Sequence, residues 1–262
     1  MLISHHSLFM LALCVLVMLL VWELQRRTRN AGWVDVAWTF LIGIQALYYG
    51  VVGAGAVSAR WAAAGLALVW SLRLGWYLAR RVAGEDEDGR YQALRQHWQG
   101  REQLRFFGFF QAQALVAWLL PLAIYAVAEH SHQPGPMLYA GIALGLLAIA
   151  GESLADRQLA RHRRQHPGVT CRSGLWRYSR HPNYFFEWLH WCAYPLMAVG
   201  SAAQWWVWLA PAVMLMFLYR VTGIPYTEKQ ALKSRGDDYR RYQQETNAFF
   251  PWFPQDADST AS

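Results

Sequence analysis

The chain reads as an all-α integral membrane protein of about seven transmembrane helices, with its N-terminus outside and its C-terminus in the cytoplasm. Three observations carry that reading. Hydrophobic residues fill 55% of the 262 positions and charged ones only 16%, whereas an ordinary soluble domain is about a quarter charged. Mean hydropathy is nevertheless just +0.08, so the apolar residues must be gathered into blocks. The basic residues, in turn, collect in alternate gaps between those blocks. Disorder is excluded, because 15 Trp, 13 Tyr and 12 Phe bring more apolar surface than a solvated coil tolerates.

Seven blocks are long and apolar enough to span a hydrocarbon core of about 30 Å, which needs about 20 helical residues. They cover 2–24, 32–53, 59–79, 108–128, 137–156, 184–200 and 203–219. The first begins MetLeuIleSerHisHis with no Lys or Arg and runs straight into GlnArgArgThrArg, so it predicts a retained helix and not a signal peptide. Pro121 and Pro195 lie inside the fourth and sixth blocks and predict a kink in each. The last two blocks are joined only through residues 201–204, a tight helical hairpin.

Orientation follows from charge. Lys and Arg are retained on the cytoplasmic side of short loops. Placing the N-terminus outside puts 22 of the 24 Lys and Arg into the segments 25–31, 80–107, 157–183 and 220–262. The exceptions are Arg60, in an outer loop, and Arg73, inside the third helix. This bias accounts for the net charge of +7 without any nucleic acid. Cys14, Cys171 and Cys192 form no disulfide framework, and no CxxC or HExxH pattern marks a metal site. His5, His6, His130 and His132 are expected to be solvated at the outer surface, the tail 255–262 to be disordered, and Glu85–Asp88 to be a solvated loop. Trp61, Trp118, Trp205 and Trp206 read as an interfacial aromatic belt.

Ionisable groups at bilayer depth are costly unless paired or wet, which makes them informative. Asp35 sits about one turn inside the second helix and Arg73 about two turns inside the same end of the third. They are placed to pair, either as a structural salt bridge or with Asp35 lining a buried pocket. A second group occupies the cytoplasmic ends of the fifth and sixth helices. Glu152, Asp156 and Arg163 share one face of a continuous helix, and Asn183, Glu187 and His190 form a stripe on the next. Between them, residues 161–184 carry six arginines, three histidines and two tyrosines. Arginines in this number, beside a Pro-initiated helix start, suit bidentate capture of phosphate. Nearby acids would accept from ribose hydroxyls or an amino group, and Trp176, Tyr178 and Tyr184 are placed to stack on a ring. No GxGxxG or Walker pattern is present, so a nucleotide site here is neither a Rossmann domain nor a P-loop.

GlyLeuTrpArgTyrSerArgHisProAsnTyrPhePheGluTrp at 174–188, preceded by AspArgGlnLeuAlaArgHisArg at 156–163, resembles the C-terminal domain of the steroid 5-alpha-reductase family. The likeness is closest to its bacterial branch, the domain of unknown function 1295. AspValAlaTrpThrPhe at 35–40, ThrGlyIleProTyrThrGluLys at 222–229 and residues 238–252 are similar to that branch as well. The resemblance implies a single membrane domain over 1–262, with helices 1–4 (1–130) on the substrate side and 137–254 binding NADPH. It implies a monomeric bacterial inner-membrane enzyme that reduces a C=C bond conjugated to a carbonyl in a steroid-like or other lipid. Its cofactor residues fall on Glu152, Asp156, Arg163, Arg172, Tyr178, Arg180, His181, Asn183, Glu187 and Glu228. Its catalytic pair falls on Asp35 and Tyr77, with Trp38 and Arg73 toward substrate, and no metal is implied. The ArgHisPro turn and Glu228 are also similar to isoprenylcysteine carboxyl methyltransferases, which implies S-adenosylmethionine as the alternative ligand.

Overall fold

The computed structural model describes residues 4–129, 135–221 and 223–255, and every regular element among them is helical. They are α1 (His5–Thr28), α2 (Trp33–Val52), α3 (Val57–Gly84), α4 (Gly89–His97), α5 (Glu102–Leu119), α6 (Leu122–Ala128), α7 (Pro136–Gln165), α8 (Pro182–Met197), α9 (Leu209–Met216), α10 (Ile224–Arg235) and α11 (Asp237–Glu245). A π-helical turn, Phe217–Val221, follows α9. Among the described residues, six spans are long and apolar enough to cross a bilayer: α1, α2, α3, α5 with α6, α7, and the stretch Trp206–Arg235. The chain is a multi-pass helical membrane protein. The block expected as the sixth span is α8, whose 16 residues rise about 24 Å at 1.5 Å each, short of the core thickness. His130 and His132, like residues 256–262 of the expected disordered tail, lie outside the described residues.

The chain divides into two compact units. The first takes in residues 1–142 and 194–210, and hence α1–α6. The second takes in 143–193 and 211–262, and hence most of α7 and α8 with α9–α11. The division cuts through α7 and α8 and not between 130 and 137, so the two units interleave along the sequence.

In the first unit, α1 starts at a capping box in which Ser4 and Ser7 each accept the other's backbone N–H at 3.2 Å. Its last turn carries Arg26 and Arg27, favourable against the helix dipole. It buries Ser7, Met10, Cys14, Met18 and Gln25, at helical spacing on one side. Leu8, Phe9, Leu16 and Leu20 remain exposed, the face a lipid chain would cover. Antiparallel α5 is tied to it at both ends. Trp118 Nε1 donates to the Ser7 carbonyl at 2.8 Å, and Trp22 Nε1 to that of Gln103 at 3.0 Å. Between α2 and α3 small residues permit close approach: a Cβ on Gly75 would lie 2.8 Å from the Phe40 ring, and one on Gly50 2.9 Å from Ala64. At Pro121, where a kink is expected, the helix is interrupted for two residues that keep right-handed helical angles, α5 ending at Leu119 and α6 starting at Leu122. Pro195 stays inside α8, two residues from its end.

In the second unit, α7 is continuous from its start to Gln165, nine residues beyond the expected end, because the arginine-rich stretch carries it on past the apolar block. The connection from α7 to α8 is fixed along its length. Gly174, at φ +62, brings the backbone against Gln158, whose side-chain oxygen accepts from the Leu175 N–H at 2.9 Å. Trp176 Nε1 donates to the Ala155 carbonyl at 2.9 Å, and the Tyr242 hydroxyl donates to the Trp176 carbonyl. Residues 247–252 then bind back along the turn. Arg180 N–H donates to Asn247, Ser179 Oγ to Phe249 and Trp252 N–H to Tyr178, each onto a carbonyl at 2.8–2.9 Å.

Candidate functional site

Two groups of ionisable side chains stand out, one in each unit. In the first, Asp35 lies in the opening turn of α2. Its carboxylate accepts from Arg90 Nη2 at 2.9 Å and from the Tyr91 hydroxyl at 2.8 Å. Both partners belong to α4, a helix within the segment 80–107, expected in the cytoplasm, that the sequence reading did not single out. The anticipated pairing of Asp35 with Arg73 is therefore replaced by one with Arg90.

The expected solvated loop Glu85–Asp88 is half correct. Glu85 and Asp86 are exposed. Asp88, however, caps α4 by accepting from the Arg90 N–H at 2.9 Å, and it also binds Arg81 and the Arg90 side chain. Burial opposes ionisation of Asp88, but those arginines and the backbone N–H outweigh it and hold the carboxyl below its ordinary range. Glu87 accepts from the Ala31 N–H and pairs with Arg95, both at 2.8 Å. Burial first, and then the neighbouring Asp35 charge, push the Tyr91 hydroxyl well above its usual pKa. It is thus a neutral hydrogen-bond donor throughout the physiological range. Sequence reading missed Arg90 and Tyr91, although Asp88 followed by GlyArgTyrGlnAlaLeu is a legible helix start with a capping acid. Tyr77 is 49% exposed on α3. Trp38 packs edge-on against Trp70 with ring centroids 6.2 Å apart.

In the second unit the anticipated stripes are present. Glu152, Asp156 and Arg163 lie along α7, and Asn183, Glu187 and His190 along α8. Asn183 Nδ2 donates to Asp156 Oδ1 at 3.3 Å, which joins them. Asp156, as a carboxylate, accepts only, so the amide orientation is set. Asn183 Oδ1 is left buried with no hydrogen-bond partner among the described residues. Glu152 is buried at 3% exposure, and Arg163 is exposed on the last turn of α7.

Glu228, on α10, closes a second knot. It accepts from Arg180 Nε at 2.7 Å, from His181 Nε2 at 3.3 Å and from Gln243 Nε2 at 2.8 Å. Arg180 Nη1 also donates to the carbonyls of Gln243 and Thr246. Burial holds the His181 imidazole below its ordinary pKa, against the opposing pull of Glu228. The ring of Tyr184 lies parallel to that of His181 at 5.4 Å. Arg172 pairs with Asp238 at 3.1 Å and donates to its carbonyl at 2.6 Å. Two of the arginines expected on phosphate are thus held by the chain's own acceptors. Tyr178 is exposed beside Phe253, and Trp176 is buried with its N–H already used.

A helical membrane protein with a fixed Arg-His-Pro-Asn turn and two carboxylate knots is the class so defined. The chain belongs to the family described as proteins of unknown function (DUF1295), whose model matches residues 21–246. No curated protein and no solved structure matches it.

Proposed function

We propose that the protein is a membrane-embedded NADPH-dependent reductase, acting on a C=C bond conjugated to a carbonyl in a steroid-like or other lipid. The observation that carries this reading is the buried, unpartnered Asn183 Oδ1 beside the Asp156 carboxylate. A buried acceptor left without a donor is costly, and these two acceptors match the hydroxyl and amide N–H donors of a nucleotide. Exposed Arg163 supplies charge for its phosphates. The residues fit the cofactor, with Asp156, Asn183, Glu187 and Glu152 on its donors and Arg163 on its anions. Arg172, Arg180, His181 and Glu228 hold the turn that presents them, and Tyr178 is the exposed ring beside it.

When bound, the dihydronicotinamide supplies a hydride to the β-carbon of the enone. The protein's part is to stabilise the negative charge that develops on the carbonyl oxygen and to deliver a proton to the α-carbon side. Because the Tyr91 hydroxyl donates to Asp35, which also pairs with Arg90, Tyr91 is the proton donor of that pair, its one hydrogen turning from Asp35 to the substrate oxygen, and Asp35 is the group that positions it. Tyr91 takes this role in place of Tyr77; Trp38 and Arg73 stay assigned to the substrate.

The same reading places the arginine-rich helix ends in the cytoplasm, the N-terminus outside, α8 as a seventh, shorter span and the protein as a monomer in a bacterial inner membrane. Titration of the detergent-purified protein with NADPH, NADH and S-adenosylmethionine tests it, since a ligand of the folded state raises its melting temperature. Stabilisation by NADPH alone is expected. Stabilisation by S-adenosylmethionine alone would overturn the reductase in favour of a methyltransferase, and no response to any of the three would favour a non-catalytic role. Asp35→Asn should abolish turnover while leaving nucleotide affinity within a few-fold.

A further inference from the structure

Residues 247–255, in the second unit, form no regular element, yet the strip is tied down along its length. The Asn247 carbonyl accepts from the Arg180 N–H and that of Phe249 from Ser179 Oγ. The Trp252 N–H donates to the Tyr178 carbonyl and the Gln255 N–H to that of Glu245, all four bonds at 2.8–2.9 Å. A backbone held in this way presents its side chains in set directions. Phe249 turns inward and is buried, with the ring centroids of Phe185, Trp188 and Tyr219 5.9–6.0 Å from its own. Phe250, Trp252 and Phe253 each remain more than half exposed. Exposed Tyr178 adjoins them edge-on, 6.0 Å from Phe253 between centroids. Three large rings fixed at a surface make a patch that soluble surfaces avoid and binding surfaces use.

The place of the patch says what covers it. Phe185 and Trp188 stand at the start of the apolar block 184–200, and Tyr219 at the end of the block 203–219. The strip therefore packs where two apolar blocks meet their polar flanks. Through Tyr219 it is continuous with exposed Met216 and Val221 of the stretch Trp206–Arg235, which is long and apolar enough to cross a bilayer. Exposed Arg177 and Arg220 adjoin Tyr178 and Tyr219 in sequence. Rings beside arginines at the end of an apolar block are the composition of the membrane–water boundary, where each side chain keeps its polar tip in water and its body in lipid. Residues 256–262, AspAlaAspSerThrAlaSer, bring no apolar side chain larger than that of alanine, so they supply no apolar cover for the rings.

We propose that Phe250, Trp252 and Phe253 form a surface that seats on the bilayer, their rings entering the headgroup boundary at the level of Tyr219 while the backbone stays bonded to the turn at 178–180. The partner is the lipid surface itself and not a lipid substrate. Because the strip is hydrogen-bonded to Tyr178, Ser179 and Arg180, the seat sets the depth of the turn that opens α8. This seat is independent of the cofactor reading and stands whether or not a nucleotide binds.

The test uses the full-length protein in phosphatidylcholine nanodiscs, one copy to a disc, with bimane attached to Phe253→Cys. Cys14, Cys171 and Cys192 are buried, and the unsubstituted protein carried through the same reaction measures any label that they take up. Bimane on Asp237→Cys, an exposed position on polar α11, is the reference in water. Both substitutions alter exposed side chains, so neither removes core packing. Lipid bearing a doxyl group near the top of the acyl chain should remove about half of the fluorescence at 253 and little of that at 237, and iodide should quench 253 about threefold less than 237, as for a group about 5–10 Å into the boundary. Adding Trp252→Glu, which puts a charge into the seat, should weaken the lipid quenching at 253 about twofold.

Iodide quenching at 253 equal to that at 237, with no effect of the doxyl lipid, overturns the seat, because the rings then face water. Protection from both quenchers in one-copy discs overturns it too, because the rings then lie against protein. Protection from iodide that arises only in discs holding two copies assigns the patch to a second copy of the chain in place of lipid.

Discussion

Asp35 in the first unit and Glu228 in the second are both carboxylates held by an arginine and by a ring-bearing neighbour in sequence: Arg90 with Tyr91, Arg180 with His181. They differ in what else the arginine holds. Arg180 also donates to two backbone carbonyls near the end of α11, and the pair is only 11% and 16% exposed. Arg90 reaches Asp35 and Asp88, and with Asp35 is 27% and 26% exposed. One knot closes a backbone turn and excludes water. The other joins two helices where water still reaches, through a short helix of nine residues. The same chemistry thus closes a backbone turn in one place and joins two helices at a wetter position in the other.

The largest effect should come from breaking the closed knot. Arg180→Ala leaves a buried Glu228 charge and two carbonyls without their donor, and should lower unfolding stability by about 3 kcal/mol. A denaturant midpoint close to wild type would show that water replaces the guanidinium and that the two knots are alike. Asp35→Ala, at the wetter knot, should cost about 1–2 kcal/mol; a loss as large as that of Arg180→Ala would make α4 a structural keystone. Tyr91→Phe keeps the ring among Phe106, Phe109 and Phe110 and removes one hydrogen bond, for about 1 kcal/mol. Turnover should nevertheless fall sharply, and unchanged turnover would remove Tyr91 from the proton-bearing role.

The smallest effect is on pH dependence. His181 titrates below the ordinary imidazole value because burial penalises its cation, so the unfolded chain binds more protons over that interval. Its contribution to stability is complete above the unfolded value of about 6.5 and is lost as pH falls through it. The melting temperature should therefore drop between about pH 7.5 and about pH 5.5, and His181→Gln should flatten that slope. An equal slope in the variant would place the titration elsewhere.

Hydropathy and helical spacing alone were enough to read the multi-pass helical architecture, though as seven spans where six are long and apolar enough among the described residues, and to place Glu152–Asp156–Arg163 and Asn183–Glu187–His190 along α7 and α8. Those properties are local: the number of apolar residues in a run decides whether a helix can cross lipid, and 3.6 residues per turn decides which side chains share a face. The partner of Asp35 was not legible, because 55 residues separate it from Arg90 and no periodicity encodes which of several arginines arrives. The same holds for Glu228 with Arg180, 48 residues apart, and for the return of residues 247–252 onto the turn at 178–180. Arg172 and Arg180 read as phosphate ligands in sequence because an unpaired arginine and a paired one look identical there. Only tertiary structure brings acceptors to them, since electrostatic pairing depends on distances between segments that the order of residues does not contain.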